Sequence, residues 1–326
     1  MFDTPTQAPT QPAGPTPEAP PPRGGPVRDL IRLLRPYQWV KNTIMVPLPL
    51  LHPQIWTARG MLHLAAAVVV FTLASSVVYI ANDITDRKRD RLHPGKRHRP
   101  LAAGRVSVSA AAFTGGAVAA ALALLIVLVE PLLAVPVGAY LALNLAYCLG
   151  LKHVPVVEIF VVAAGFGLRL ITGYVSVQLD TSWWPTLGVY LLATVVVLGK
   201  RRSELELTDP SHRPALRGYT KPLVDQLVLL SAGLGVTMLV FFLNTYEPPY
   251  GVWAAPVLLP LTLLGLYRYL QIVSTSGGDA DPVRTLVRDR IIVATAVLSL
   301  LAWIVLQAVV HGTFGGVPDP VAGQGS

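Results

Sequence analysis

Long apolar stretches separated by short charged clusters run through almost the whole chain. Runs long enough to cross a bilayer predict helices near 40–53, 61–84, 109–129, 132–150, 155–177, 184–202, 225–243, 252–272 and 289–311. The first is the weakest, because Pro47, Pro49 and Pro53 interrupt it. If it and one later segment are re-entrant, the nine spans become seven. The pattern predicts an all-α integral membrane protein, nine transmembrane helices forming one bundle around a cavity that faces the cytoplasm.

Composition agrees, with 52% hydrophobic residues, 13% charged residues and a mean hydropathy of +0.54. Lys and Arg collect in residues 23–41, 87–105, 152, 200–221 and 268–290, while Arg59 alone falls in a loop of the other side. That asymmetry places the N-terminus and the loops after the second, fourth, sixth and eighth helices in the cytoplasm. The net charge of +8 is therefore a signal of topology. No basic stretch is interleaved with aromatics, so no nucleic acid partner is expected. The single Cys148 excludes an internal disulfide and a zinc site. Residues 1–27 are expected to form a Pro-rich disordered cytoplasmic tail, 28–311 the membrane domain and 312–326 a loose tail.

The most informative motif is Asn82, Asp83, Asp86 and Asp90, at the end of the second predicted helix. At 100° per residue the four fall within one quadrant. Three carboxylates and an amide crowded there repel one another unless a hard cation sits among them. An oxygen-only donor set beside basic residues matches magnesium carrying phosphates, and Lys96 and Arg99 follow at once. A solvated helix end of mixed charge is the plainer alternative, but the cluster starts inside an apolar run, where charge is costly.

A second cluster, Lys200, Arg201, Arg202 and Glu204, closes the sixth predicted helix. Lys200 and Glu204 are one turn apart and able to pair; snorkelling at the membrane edge is the alternative, favoured for Arg202. The next loop brings Arg217 and Tyr219, charge that suits a lid over an anion. Glu158 sits a turn into the fifth helix. Arg169 lies about 16 Å further along, and a buried arginine in a membrane helix faces a cavity or a partner. Tyr147 and Lys152 bracket the end of the fourth helix and are weaker candidates. His93 and His98 fit a solvated loop and carry no catalytic role.

NDxxDxxxD after the second of nine helices resembles the UbiA superfamily of intramembrane prenyltransferases over residues of roughly 30–310. Members usually carry a second Asp-rich motif after helix 6, both motifs holding magnesium and a prenyl diphosphate. This chain has GKRRSEL at that place, with no aspartate pair. NDITDRKRDRLHPGKRHRPLAAG, LKHVPVVEIFVVAAGFGLR and GKRRSEL with RGYT are together similar to the actinobacterial decaprenyl-phosphate phosphoribosyltransferase branch. Aspartate is the residue expected of that branch where this chain has Glu158.

The resemblance implies a UbiA-like bundle that takes 5-phosphoribosyl 1-pyrophosphate as donor and a polyprenyl phosphate lipid as acceptor, with a trimer allowed. It implies Mg2+ at Asn82, Asp83, Asp86 and Asp90, bridging the pyrophosphate. Lys41, Lys96 and Arg99 are then expected at the pyrophosphate, and Lys200, Arg201 and Arg202, with Glu204, at the 5-phosphate. A conventional prenyltransferase with an aromatic acceptor is the alternative reading.

Overall fold

The computed structural model describes residues 25–92, 95–207, 214–245, 250–275 and 288–310. Both expected tails fall almost wholly outside that set, as does His93. Among the described residues ten α-helices follow in chain order: α1 Pro26–Leu33, α2 Ala58–Thr85, α3 Arg87–Leu92, α4 Val108–Val129, α5 Ala134–Leu149, α6 Val157–Ser176, α7 Trp183–Leu207, α8 Lys221–Thr245, α9 Tyr250–Thr275 and α10 Arg290–Val310. No strand occurs among the described residues.

Seven helices, α2 and α4 to α9, are long and apolar enough to cross a membrane, and Arg290–Leu306 within α10 is a shorter apolar helix. The chain is a multi-pass membrane protein. Eight of the nine expected segments are helices, but the one near 40–53 is not an α-helix. It folds as 3-10 turns over Pro36–Met45, Pro49–Leu51 and Pro53–Ile55. Each proline there lacks a donor and clashes with the carbonyl four residues back, so an α-helical ladder cannot propagate. Helix α7 runs five residues past its expected end, because Lys, Arg, Glu and Leu favour the helix once the apolar run stops.

Side-chain caps set the starts. Thr57 accepts from Gly60 N at 3.0 Å ahead of α2, and Ser107 from Ala110 N at 3.1 Å ahead of α4. The helices pack in series: α4 on α2, α2 on α5 and α6, α6 on α7, α7 on α8, α8 on α9 and α9 on α10. Helix α6 is the most enclosed of the spans. Around Phe71, Val137 and Tyr140 lies one core; Val195, Leu198, Val224 and Tyr269 form a second on the other flank of α6. Outward faces remain apolar: Phe113, Leu124 and Leu128 on α4, and Leu300, Ile304 and Val305 on α10, are exposed. Those faces meet lipid.

The 3-10 segment packs against α6 at backbone contact. A Cβ on Gly173 would lie 2.5 Å from Met45 O, so only glycine admits this approach. Close by, Arg169 is buried. Its Nε donates to Asn42 Oδ1 at 2.9 Å and its Nη1 to Gly165 O at 2.6 Å. The guanidinium also stands over the rings of Phe71, Tyr140 and Phe166, 4.8–5.3 Å from their centroids. Arg169 thus fastens the 3-10 segment to the middle of the bundle.

Candidate active site

Both charged clusters lie at one end of the bundle. At Asp86 the α2 helix ends with φ −89° and ψ 1°, and α3 resumes at Arg87. Asp86 N still bonds Asn82 O at 2.9 Å, and Asp90 N bonds Asp86 O at 2.8 Å. The helical ladder therefore crosses the break and keeps the motif on one side, as the spacing predicts.

Each acid of that motif faces a cation. Arg99 Nη1 donates to Asp83 Oδ1 at 3.0 Å and to Asp90 Oδ2 at 2.7 Å, so one nitrogen joins the two carboxylates. Arg35 also donates to Asp83. Lys152 Nζ donates to Asp86 Oδ1 at 2.7 Å. Asp83 and Asp90 are buried while Asp86 is half-buried. Asn82 Oδ1 accepts from the Cys148 thiol at 2.6 Å. Four elements thus converge: the α2–α3 corner, the turn after α1, the 95–105 loop and the segment after α5.

The second cluster divides. Arg201 is buried; its Nε and Nη2 donate to Glu158 at 2.5 and 2.9 Å, and its Nη1 to Glu204 at 2.7 Å. Arg202 turns away, donating to Asp225 of α8 at 2.8 Å and to Val273 O of α9 at 3.0 Å. Neighbours on a helix point 100° apart, so the two arginines serve different surroundings. Lys200 is exposed.

A short segment ties the clusters together. Lys152 reaches Asp86 and Glu158 reaches Arg201, so residues 152–158 span from one site to the other. Within it Val157 N bonds Pro155 O at 2.8 Å, closing a three-residue γ-turn about Val156. Val156 adopts φ 66° and ψ −54°, a conformation strained for a β-branched residue. Tyr219 holds the turn, its Oη accepting from Val156 N at 2.6 Å. Gly218 packs so tightly that a Cβ would fall 2.4 Å from Pro155 Cγ.

The remaining candidates are spread around this centre. Tyr147 lies within electrostatic reach of Arg201. Lys41 is half-buried in the 3-10 segment, and Lys96 is exposed in the loop that carries Arg99. Arg217 is exposed on the turn before Tyr219, and Arg169 stands apart in its aromatic surround. Sequence reasoning missed Arg35, whose guanidinium also sits 5.0 Å from the centroid of the Tyr79 ring. It missed Cys148 as well. Arg35 has φ 52°, a local bend that no pattern announces.

The donor set is all oxygen. Among the described residues, no three His, Cys, Asp or Glu side chains form a group able to hold a metal by themselves. Magnesium does not need such a cage, since it binds through one or two carboxylates plus water and substrate phosphates. Asp83, Asp86 and Asp90 supply that donor type, with Arg99 Nη1 lying between two of them.

The UbiA prenyltransferase family model matches residues 50–285. Decaprenyl-phosphate phosphoribosyltransferase of Mycobacterium tuberculosis is 35% identical over 293 residues, 85% of this chain and 92% of that protein. The protein of the same name from Corynebacterium glutamicum is 34% identical over 286 residues, 84% of each. Among solved structures, a UbiA homolog from Archaeoglobus fulgidus bound to DMAPP and Mg2+ superposes with a TM-score of 0.65. It is 16% identical and covers 86% of this chain and 100% of its own. The chain belongs to the UbiA prenyltransferase family, in the group that includes the actinobacterial decaprenyl-phosphate phosphoribosyltransferases.

Proposed function

We propose that this chain transfers 5-phosphoribose from 5-phosphoribosyl 1-pyrophosphate to decaprenyl phosphate and releases pyrophosphate, a step in cell-wall arabinan precursor synthesis. The observation that carries this reading is the pair of polar clusters at one end of the bundle, one built on Asp83, Asp86 and Asp90 and the other on the buried Arg201. Acids at Asn82–Asp90 suit a metal-bridged pyrophosphate; a buried arginine on α7 suits a second phosphate. A prenyl diphosphate has no second phosphate site to offer Arg201. The names of the relatives support the same assignment.

Asn82, Asp83, Asp86 and Asp90 are the residues to hold magnesium. When bound, it neutralises charge building on the departing pyrophosphate. Arg99 and Lys152 flank the same acids and lie ready to contact the pyrophosphate oxygens, joined by Lys41 and Lys96 from the rim. Arg201 has five N–H groups. Three are committed to Glu158 and Glu204, and the two others serve the 5-phosphate. Glu158 fixes the plane of the guanidinium, and Lys200 adds charge at the rim. Arg202, bound to α8 and α9, acts in packing.

The reaction is displacement at C1 with inversion, through a transition state of oxocarbenium character. The attacking lipid phosphate is already anionic near neutral pH, so no side chain has to act as general base. We place the site on the cytoplasmic side of the cell membrane, following the Lys and Arg distribution, with nine passes in all and a lateral opening that leaves the prenyl tail in lipid. The test is the purified chain with magnesium, given labelled phosphoribosyl pyrophosphate and decaprenyl phosphate, or a prenyl diphosphate and 4-hydroxybenzoate. Label entering lipid in the first pair is expected; product from the second pair alone would overturn the reading.

A further inference from the structure

Helix α1 has two unlike sides. Asp29 and Leu33 turn inward and are buried, and Asp29 accepts from Arg105 Nε at 3.1 Å. On the outward side Val27 and Ile31, one turn apart, are 68% and 49% exposed. Arg28 and Arg32, also one turn apart, are exposed beside them. These four residues, with Gly25 and Pro36, line a shallow cavity of about 590 Å³. Just beyond it Tyr37 and Val40 are exposed, and so is the edge of Trp39, whose indole N–H donates to Leu34 O at 3.0 Å.

An apolar stripe, two guanidinium groups beside it and aromatic rings at its end match a helix lying in the plane of a membrane interface. Free phosphate would satisfy the arginines and leave Val27 and Ile31 in water. A protein partner would compete for this surface with the lipid that the exposed apolar faces of the bundle require. We propose that the α1 cavity binds an anionic phospholipid of the adjoining leaflet, its phosphate between Arg28 and Arg32 and its acyl chains over Val27 and Ile31. Each arginine near an anionic surface contributes about a fivefold gain in affinity. The same segment leads on to Arg35, which reaches Asp83.

The experiment is native mass spectrometry of the purified chain released from nanodiscs of phosphatidylcholine with graded phosphatidylglycerol. The expected result is retention of phosphatidylglycerol over phosphatidylcholine. The double variant Arg28→Gln/Arg32→Gln should weaken that preference about 25-fold, and Arg28→Lys/Arg32→Lys should restore most of it. Arg28 and Arg32 are exposed, Arg32 also donating to Asp29 at 3.4 Å, and circular dichroism confirms the fold of each variant. Equal retention of phosphatidylglycerol by wild type and the Gln variant would overturn the proposal. So would displacement by inorganic phosphate at millimolar concentration, which would make the site one for the free anion. Stoichiometric displacement by decaprenyl phosphate would overturn it too, making the cavity an acceptor subsite.

Discussion

Removing one hydroxyl tests how the Val156 turn positions the donor site. Tyr219→Phe keeps a ring that is buried in the core of α7, α8 and α9 and removes the hydroxyl that accepts from Val156 N. An orphaned backbone N–H costs about 1–3 kcal/mol when buried. Val156 is part-exposed, so water reaches the turn and the cost falls at the low end, about 1 kcal/mol. Against that, a β-branched residue at positive φ stores about 1–2 kcal/mol, part of which is released once Tyr219 lets go. The two terms nearly cancel, and thermal unfolding in detergent should move by only a few degrees. Function should change more. Glu158, two residues on, carries Arg201 through two hydrogen bonds, and its displacement should raise the donor KM about tenfold, equivalent to about 1.4 kcal/mol. On a Val156→Gly background, where positive φ carries no steric cost, Tyr219→Phe should raise KM far less. An unchanged donor KM in Tyr219→Phe, or an equal rise in both backgrounds, would show that the Val156 turn does not position Glu158.

Three further outcomes follow from the geometry. Asp86→Asn should abolish turnover and the magnesium response, while Arg201→Ala should mainly weaken the donor KM and keep the metal response; equal loss of affinity in both with the response intact would contradict two separate anion sites. Gly173→Ala should destabilise the bundle by about 1–3 kcal/mol, since its Cβ meets Met45 O; unfolding at the wild-type temperature would sink this close contact. Glu130, at the start of the turn before α5, is held below the ordinary carboxylate range by the Gln178 amide and the Leu132 N–H. A lowered folded pKa contributes stability above the unfolded value near 4.5 and loses it as pH falls through the folded value. Unfolding midpoints measured below pH 4.5 should therefore drop more steeply for wild type than for Glu130→Gln.

Much of this was legible because membrane helices declare themselves by length and apolarity. Eight of the nine expected segments are helices, with ends within a few residues. The exception was foreshadowed by its own prolines, yet the 3-10 form comes from how Met45 and Asn42 meet α6, a tertiary matter. Helical spacing also placed Asp83, Asp86 and Asp90 on one side. It did not place Arg35 against Asp83 or Lys152 against Asp86, because those contacts cross 48 and 66 residues of chain. The contrast between Arg201 and Arg202 was readable in principle from their 100° separation. Deciding which of them turns inward required knowing where α6 and α8 stand. The Tyr219–Val156 bond carries no sequence signal at all: one hydroxyl meets one backbone N–H across a loop.

In the proposed reaction pyrophosphate leaves and ribose 5-phosphate goes to the lipid. Two preparations of the donor, one carrying ³²P in the 5-phosphate and one in the β-phosphate of the pyrophosphate, separate these fates in one assay with decaprenyl phosphate and magnesium. Partition into organic solvent should carry the 5-phosphate label into the lipid phase and leave the β-label in water as pyrophosphate. The β-label in the lipid phase, or neither label there, would contradict the account.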